Sequence, residues 1–506
     1  WVKDKKIKVI GMYLEEFIDG KDFVDIAKAY PNKSIVILHP GETKESQKAI
    51  SSHTGSLAGS SDTIRAGLSQ AGIIQVDSVE KMFNMLKMLS FSKLPNGYNT
   101  AIITNAGGPG IITTDLVVKS GLTLADLGSS TKSKLRKILP AAASINNPID
   151  VVGDARSDRY KAALEIVDKD KNVDSILVVL TPQIVTQIED TAKLIINFSK
   201  KSTKPIIPIF IGGKYVLPGL ERFYDNKVPA FQYSEEASYS LKKLTDYSIF
   251  KTESKKKPKQ LPTARRKPKN SAVIKLHTKK SPSVLPQKVV QKLAREFNLD
   301  TPEEELVHSP SKALQFAKRV KYPVVIKASS EDVVHKTDFK ALFLNINSDE
   351  ELLRKYSKLK TNIKKKTKVK NPTLLIQEQI LGGEELIIGA NRDGDSKVYK
   401  DGKGFGHLLL FGKGGIYTEV YRDTAVGLIP LTVPQLEKLV DITNVSKIIR
   451  GTRGKKPLAF RPLIDTLKKV QTMLLTYPQI ESIDLNPLIL TEDRCIVVDI
   501  KIFLSK

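Results

Sequence analysis

Short apolar runs rich in β-branched residues alternate with amphipathic stretches through the first half of this 506-residue chain. The apolar runs predict strands at Lys8–Leu14, Ile35–Leu38, Thr100–Thr104, Ser175–Leu180 and Pro205–Phe210. The amphipathic stretches predict helices at Phe23–Tyr30, Thr63–Gln70, Val79–Leu89, Ile111–Lys119, Tyr160–Asp168 and Glu189–Ser199. This alternation is typical of doubly wound α/β units, in which helices cover both faces of a parallel sheet. A turn cluster, Leu94-Pro95-Asn96-Gly97, divides the region into units at residues 1–94 and 95–250.

The second half of the chain follows a different pattern. Residues 251–284 carry two basic clusters among Ser, Thr and Pro, which predicts a flexible linker. Residues 285–506 predict an α+β unit with antiparallel strands. Its expected elements are a helix at Gln287–Phe297 and strands at Tyr322–Lys327, Thr373–Gln379, Glu385–Ala390, Ser482–Leu490 and Cys495–Ile502.

Composition narrows the class of protein. Hydrophobic residues make up 41% of the chain, and the one cysteine, Cys495, rules out a disulfide framework. The single cysteine fits a reducing interior, so we expect a cytoplasmic protein. We expect no membrane segment, because no apolar run approaches about 20 residues. The net charge of +26 comes mostly from lysines scattered over helix faces without interleaved aromatic residues, which favours a solvated lysine-rich surface over a nucleic-acid-binding one. Phosphate-bearing substrates would also benefit from the positive field. Because the chain opens at Trp1 and a strand follows at once, we expect a fragment that lacks N-terminal sequence.

Three polar loops of the first half follow predicted strands, where parallel sheets bind ligands. The first contains His53 and Gly55, and its histidine is either a phosphoryl acceptor or an ordinary surface residue. The second and third contain glycines that permit a close approach of the backbone to an anion, or simply make tight turns. Their residues of interest are Asn105, Gly107, Gly108, Gly110, Gly212, Gly213 and Lys214.

The last unit combines residue types that suit a nucleotide. Lys327 at a strand end would hold phosphate oxygens, and the glycines Gly412, Gly414 and Gly415 predict a loop that folds over phosphates. Two further groups of residues suit a nucleotide. Asp484, Asn486 and Asp499 on paired strands are expected to supply oxygen ligands for Mg²⁺. Glu378 and Glu385 on neighbouring strands would lie on either side of the nucleoside.

Taken in order, these motifs resemble the acyl-CoA synthetases that form a nucleoside diphosphate, in particular ADP-forming acetate–CoA ligases, which are related to succinate–CoA ligase. The resemblance covers nearly the whole chain. It rests on Ser52-His53-Thr54-Gly55, Asn105-Ala106-Gly107-Gly108-Pro109-Gly110, His335-Lys336-Thr337-Asp338, Glu385-Leu386-Ile387-Ile388-Gly389, Phe411-Gly412-Lys413-Gly414-Gly415 and Asp484-Leu485-Asn486-Pro487.

The resemblance implies two flavodoxin-like CoA-ligase domains followed by an ATP-grasp domain. It implies that His53 is a phosphohistidine that carries the phosphoryl group between two sites, with Glu15 hydrogen-bonded to it. His335 would relay phosphate and Asp484 would be its acidic neighbour. The implied reaction interconverts acyl-CoA, phosphate and ADP with a carboxylic acid, CoA and ATP, with Mg²⁺ as cofactor, in a homo-oligomer.

The resemblance also assigns the remaining nucleotide contacts. Lys327 would contact phosphates, Glu378 and Glu385 the nucleoside, and Asn486 and Asp499 the Mg²⁺.

Some features depart from the family pattern. The family's N-terminal CoA-binding domain is missing from the chain, and Lys340-Ala341, Gly427 and Glu42 stand where other residues are usual. Two alternatives stay open: the synthetase-like region of a protein lysine acetyltransferase, and a nucleic-acid-binding protein that acts through the basic linker. The preferred acid and the choice of ADP or GDP are not readable from these residues.

Overall fold

A computed structural model describes residues 1–17, 19–41, 43, 45, 61–255, 274, 284–328, 342–366, 372–393, 404–415, 423–452 and 454–504. Several residues that the sequence singles out lie outside these ranges: His53, Gly55, His335, Glu42, Lys340 and Ala341, with most of the basic linker. The chain forms two compact units. The first contains most of the described residues before 257, and the second contains the described residues after 257 together with 19–21 and 62–67.

The helices and strands have the following bounds. The helices are α1 Gly20–Ala29, α2 Ser61–Gln70, α3 Val79–Phe91, α4 Gly107–Ser120, α5 Ser129–Ile138, α6 Ser157–Val167, α7 Ile188–Lys201, α8 Leu217–Asp225, α9 Ser234–Lys255, α10 Gln287–Glu296, α11 Pro310–Val320, α12 Asp349–Lys366, α13 Val433–Asp441, α14 Val445–Ile449 and α15 Phe460–Thr476. The strands are β1 Val9–Tyr13, β2 Ser34–Leu38, β3 Ile74–Val76, β4 Asn99–Thr104, β5 Thr123–Leu124, β6 Ile149–Asp150, β7 Ser175–Leu180, β8 Ile206–Phe210, β9 Glu304–Val307, β10 Val324–Ala328, β11 Leu342–Ile346, β12 Leu374–Glu378, β13 Glu384–Asp393, β14 Gly406–Lys413, β15 Thr424–Leu428, β16 Ile480–Leu490, β17 Cys495–Val497 and β18 Ile500–Leu504.

The first unit contains two parallel sheets. Strands β1, β2 and β3 lie side by side in that order, and every residue of β2 is buried, as expected for a strand covered on both faces. The second sheet has the order β5-β4-β7-β8, with the short β6 paired to the end of β4.

Alternate residues of the second sheet feed two separate cores. Ile103 and Val178 pack in the core that includes α5, α6 and α7, whereas Ile102 and Val179 pack in the opposite core with α9. Because successive side chains of a strand point to opposite faces, this division shows helices on both sides of the sheet. The doubly wound architecture that the alternation predicted is confirmed.

Asn147 connects β4 to the residue that follows β5 through its side chain. Its Oδ1 accepts from the backbone N–H of Ile102 at 2.9 Å, and its Nδ2 donates to the carbonyls of Thr100 at 2.9 Å and Ala125 at 3.0 Å. The structure gives Asn147 an architectural role, because its amide binds one backbone N–H and one carbonyl of β4 together with the carbonyl of Ala125.

The second unit holds two antiparallel sheets, which confirms the expected α+β arrangement. One sheet has the order β11-β10-β12-β9 and packs against α11 and α12. The other has the order β15-β14-β13-β16-β17, with β18 also paired to β16, and packs against α10, α13 and α15. Among the described residues, no helix has the length and apolar character needed to cross a membrane.

Two expectations about this unit were wrong. Glu378 and Glu385 do not lie on neighbouring strands, because Glu378 ends β12 of one sheet and Glu385 lies in β13 of the other. Gly382 and Gly383, with φ of 74° and 87°, adopt the left-handed backbone that redirects the chain between the sheets. The strand predicted at Cys495–Ile502 is also interrupted, at Val498 and Asp499.

A test of the role of Asn147 follows from its three hydrogen bonds. The variant Asn147→Leu should lower the free energy of unfolding by about 2–4 kcal/mol, because the backbone N–H of Ile102 and the carbonyl of Ala125 lose the hydrogen bonds that the amide makes. Chemical denaturation measures the effect, and Asn146→Leu at the exposed neighbouring position serves as the control. Equal stabilities of the two variants would contradict this role.

Candidate functional site

In the first sheet, polar groups gather where β1 and β2 end. Glu15 follows β1, and its Oε1 accepts a hydrogen bond from the Tyr13 hydroxyl at 3.0 Å. This hydrogen bond, with the carboxylate charge, raises the pKa of Tyr13 above its usual value. Because His53 lies outside the described residues, the proposed pairing of Glu15 with His53 stays a prediction.

His39 is a residue at this edge that the sequence reasoning missed. It follows β2 and is 5% exposed, and its Nδ1 lies 2.7 Å from the carbonyl oxygen of Leu14. Since a carbonyl can only accept, Nδ1 carries the proton. The ring therefore fixes the backbone beside Glu15. The available signal was its position directly after a strand, next to another strand end of the same parallel sheet.

In the second sheet, the glycine motif after β4 is partly helical. Gly107, Gly108 and Gly110 form the first turn of α4 rather than a loop before it, which corrects the predicted helix start at Ile111. The first turn tolerates glycine and proline because its N–H groups need no partner within the helix. A Cβ added at Gly108 would have no described atom within 4 Å, whereas one at Gly110 would lie 2.8 Å from Thr104 Cγ2.

Asn105 joins the ends of β4 and β7. It is 1% exposed, its Nδ2 donates to the Thr181 carbonyl at 2.8 Å, and its Oδ1 accepts from the Thr181 N–H at 2.9 Å. The motif therefore divides into two parts. Asn105 and Gly110 hold the strands and helix together, while the N–H groups of Gly107 and Gly108 lead the helix, where an anion is stabilised.

In the second unit, a buried lysine joins the two sheets. Lys327 of β10 is 4% exposed, and its Nζ lies 3.1 Å from Asp499 Oδ1. The same ammonium donates to the carbonyl of Val498 at 3.2 Å and to Gln377 Oε1 at 3.3 Å. The interruption between β17 and β18 therefore has a physical reason, since it turns the carbonyl of Val498 and the carboxylate of Asp499 toward Lys327.

The other candidate magnesium ligand lies beside this cluster. The Oδ1 of Asn486 accepts from the Gly415 N–H at 3.4 Å, and the next residue, Pro487, accepts at its carbonyl from the Val498 N–H at 3.1 Å. Asn486 and Asp499 thus lie on adjoining segments, Asn486 in β16 and Asp499 between β17 and β18. No cluster of three or more His, Cys, Asp or Glu side chains suited to a metal occurs in the described part of the chain. One carboxylate and one amide fit Mg²⁺, which usually keeps water and takes substrate phosphates as its other ligands.

Asp484 completes the polar face of β16. It pairs with Lys501 across the sheet, and burial raises its pKa above the usual 3.8, while Lys501 opposes this shift and Asp499 adds to it. Sequence reasoning missed Lys501. The signal was a lysine that alternates with the apolar Ile500 and Ile502 in the last strand.

The three glycines after Phe411 are packed rather than folded into an open loop. Gly412 lies within β14, where a Cβ would come 2.3 Å from the carbonyl oxygen of Asp423. A Cβ at Gly414 would meet the backbone of Leu386 at 2.4 Å, and Gly415 has φ of 88° beside the Glu385 carboxylate. The close packing at positions 412 and 414 thus requires glycine.

Glu378 lies in the other sheet, where its Oε2 accepts from the backbone N–H of Glu303 at 3.3 Å. Two groups of residues are therefore assembled in the second unit. In the first, Lys327 pairs with Asp499, whose charge also acts on Asp484. In the second, the N–H of Gly415 donates to Asn486, and a Cβ at Gly415 would touch the Glu385 carboxylate. His335 belongs to the part of the chain that the structure does not describe.

Three family models match successive parts of the chain. Residues 1–89 match the succinyl-CoA ligase like flavodoxin domain, residues 100–246 the ligase-CoA domain, and residues 277–504 the ATP-grasp domain. Together with the two sheets joined at Lys327, they define a nucleotide-dependent ligase of the ATP-grasp class.

Two relatives specify the family. The 4-hydroxybutyrate–CoA ligase (ADP-forming) of Nitrosopumilus maritimus is 30% identical over 98% of this chain and 70% of that protein. The acetate–CoA ligase I (ADP-forming) of Archaeoglobus fulgidus is 31% identical over 100% of this chain and 71% of that protein. The chain belongs to the family of ADP-forming acid–CoA ligases, which confirms the resemblance and the fold class.

A solved structure adds a further similarity. It is the dinucleotide forming acetyl-coenzyme A synthetase 1 of Ca. Korarchaeum cryptofilum in complex with phosphate and ADP, which aligns with a TM-score of 0.47 at 31% identity, over 50% of this chain and 55% of that one.

The raised pKa of Asp484 predicts a dependence of stability on pH. Because folding raises this pKa, ionisation of the carboxyl opposes folding above pH 3.8. The variant Asp484→Asn should therefore have a larger free energy of unfolding than the parent at pH 7. The difference should shrink as the pH falls and disappear well below pH 3.8, where the carboxyl is protonated in both the folded and the unfolded state.

Denaturation at several pH values measures this difference. Glu481→Gln, which neutralises an exposed acid on the same strand, is the matched control and should show no such gain. An Asp484→Asn variant less stable than the parent at pH 7 would show that the carboxylate stabilises the fold.

Proposed function

We propose that this protein interconverts acyl-CoA, phosphate and ADP with a carboxylic acid, CoA and ATP, through a phosphohistidine at His53. The observation that carries the proposal is the cluster of Lys327, Asp499 and Asn486, where one cation and two oxygen ligands adjoin within the ATP-grasp unit. Family membership supplies the reaction class.

The proposed chemistry has three steps. A phosphate oxygen attacks the thioester carbonyl, so that the CoA thiolate leaves and an acyl phosphate forms. A ring nitrogen of His53 then attacks phosphorus, and the carboxylate leaves. Finally, a β-phosphate oxygen of ADP takes the phosphoryl group and restores the neutral imidazole, with His335 as the proposed relay.

Different residues serve different steps. At the first site, Glu15 would hold the ring of His53 in one tautomer, and the N–H groups of Gly107 and Gly108 would stabilise phosphate oxygens. Gly55, Asn105 and Gly110 support these loops in the proposal, Asn105 through its contact with Thr181.

At the nucleotide site, Lys327 would bind phosphate oxygens, and Glu378 and Glu385 would contact the nucleoside, with Gly412, Gly414 and Gly415 shaping the backbone beside them. Asn486 and Asp499 would hold Mg²⁺, which neutralises phosphate charge when bound. Asp484 would be the acidic neighbour of His335. We propose a homo-oligomer with these small-molecule substrates.

Phosphorylation tests the carrier. With Mg²⁺ and γ-labelled ATP, the parent should form an acid-labile, base-stable phosphoprotein, and His53→Ala should lose the stable label because its acceptor nitrogen is missing. The exposed His308→Ala is the control and should be labelled like the parent. Full labelling of His53→Ala would contradict the assignment.

The relay is tested separately with two phosphoryl donors. His335→Ala should lose labelling from ATP and keep labelling from ³²P-labelled acetyl phosphate, because only the first route passes through the nucleotide site. If His335→Ala lost labelling from both donors, His335 would have a role beyond relaying phosphate from the nucleotide site.

We propose acetate-type small acids as the preferred substrates, with 4-hydroxybutyrate as the competing candidate from the relatives. When the labelled phosphoenzyme is mixed with either acid, label should leave the protein faster with acetate, as an acyl phosphate that hydroxylamine traps. Faster release with 4-hydroxybutyrate would reverse the preference.

A further inference from the structure

A buried glutamine accompanies the lysine of the nucleotide site. Gln377 follows three apolar residues as the next-to-last residue of β12, and it is 1% exposed. Its Oε1 is 3.3 Å from Lys327 Nζ. Burying polar groups is unfavourable unless their hydrogen bonds are made, so the buried Gln377 amide is expected to have partners for both its oxygen and its nitrogen.

The orientation of this amide follows from its partners. Its Nε2 donates to Glu304 Oε2 at 2.7 Å and to the carbonyl oxygen of Val498 at 3.1 Å, and both groups only accept. The carbonyl end of the Gln377 amide must therefore face Lys327. A flipped amide would place an NH₂ group against the ammonium and an oxygen against a carboxylate.

Glu304 is itself held by helix α10. Its Oε1 accepts from Gln287 Nε2 at 2.9 Å and from Gln291 Nε2 at 2.8 Å. Residues four apart lie on one helix face, so the two amides reach the same oxygen. The carboxylate thus has three amide donors, which fix it toward Gln377.

We propose that Gln377, oriented by Glu304, is a positioning residue that holds the Lys327 ammonium at the nucleotide site. The proposal rests on the proposed function of Lys327 as the phosphate-binding cation. Asp499 is both the ion-pair partner of Lys327 and a proposed ligand of Mg²⁺. If the metal takes the carboxylate of Asp499, then Gln377 and the carbonyl of Val498 keep the ammonium in place.

Nucleotide binding to the full chain tests this role. Isothermal titration with Mg·ADP should show about tenfold weaker binding for Gln377→Met, the lower end of the effect of losing one hydrogen bond at a charged group. In the Lys327→Met background the same change should add less than about twofold, because the group that it positions is absent.

The matched control is Gln471→Met in the same unit. Gln471 is 0% exposed and bonds to the N–H and carbonyl of Leu431 at 2.9 and 3.1 Å. Loss of this amide should lower stability in a similar way without weakening Mg·ADP binding. Thermal unfolding of all variants verifies that they fold.

Variants at Glu304 give a second measurement without a change in Gln377. Glu304→Leu should weaken Mg·ADP binding about as much as Gln377→Met, because the amide loses the partner that orients it. Glu304→Gln keeps an acceptor oxygen and should restore most of the affinity.

The outcomes separate the two proposals. If Gln377→Met binds Mg·ADP as tightly as Gln471→Met, or if its effect is unchanged in the Lys327→Met background, the positioning role is overturned while the nucleotide site stands. If the parent does not bind Mg·ADP, or if Lys327→Met binds it like the parent, the proposed function fails and the positioning role fails with it.

Discussion

The ion pair between Lys327 and Asp499 is the interaction on which the ATP-grasp unit depends. Its side chains are 5% and 15% exposed, and they come from different sheets. Removing one partner of a buried pair typically costs about 3–5 kcal/mol, because the other charge is left without compensation. The pair therefore constrains both the packing of the sheets and the place where a nucleotide would bind. The same two charges that stabilise the fold are the groups that a phosphate and a metal would engage.

Much of the fold could be predicted because it rests on local patterns. The fully buried β2 and β7 appear in the sequence as uninterrupted apolar runs, and their alternation with helices determines a parallel sheet. Contacts between distant residues were harder. Lys327 and Asp499 are 172 positions apart, so each was assigned a separate ligand and their pairing was not foreseen. Gln377 was overlooked because it begins the polar run Gln377-Glu378-Gln379 at the end of the strand, where the sequence gives no sign that one of these side chains is buried.

The site also includes a carboxyl whose surroundings favour its neutral form. Burial raises the pKa of Asp484, and Lys501, directly across the sheet, offsets part of this effect. Groups with perturbed pKa values concentrate at functional sites, because burial and neighbouring charges are arranged there to suit the chemistry. The raised pKa of Asp484 therefore agrees with the chemical role proposed for it.

The buried amide of Asn105 has a consequence for how this family diverges. Asn105 joins β4 to β7, and Gly110 lets α4 approach Thr104. These two residues of the motif therefore serve the packing of the domain. Gly107 and Gly108 contribute backbone groups to the open edge. Selection for a folded domain would preserve the first pair even in a descendant that had lost catalysis. A motif that looks intact is therefore evidence of shared ancestry before it is evidence of activity.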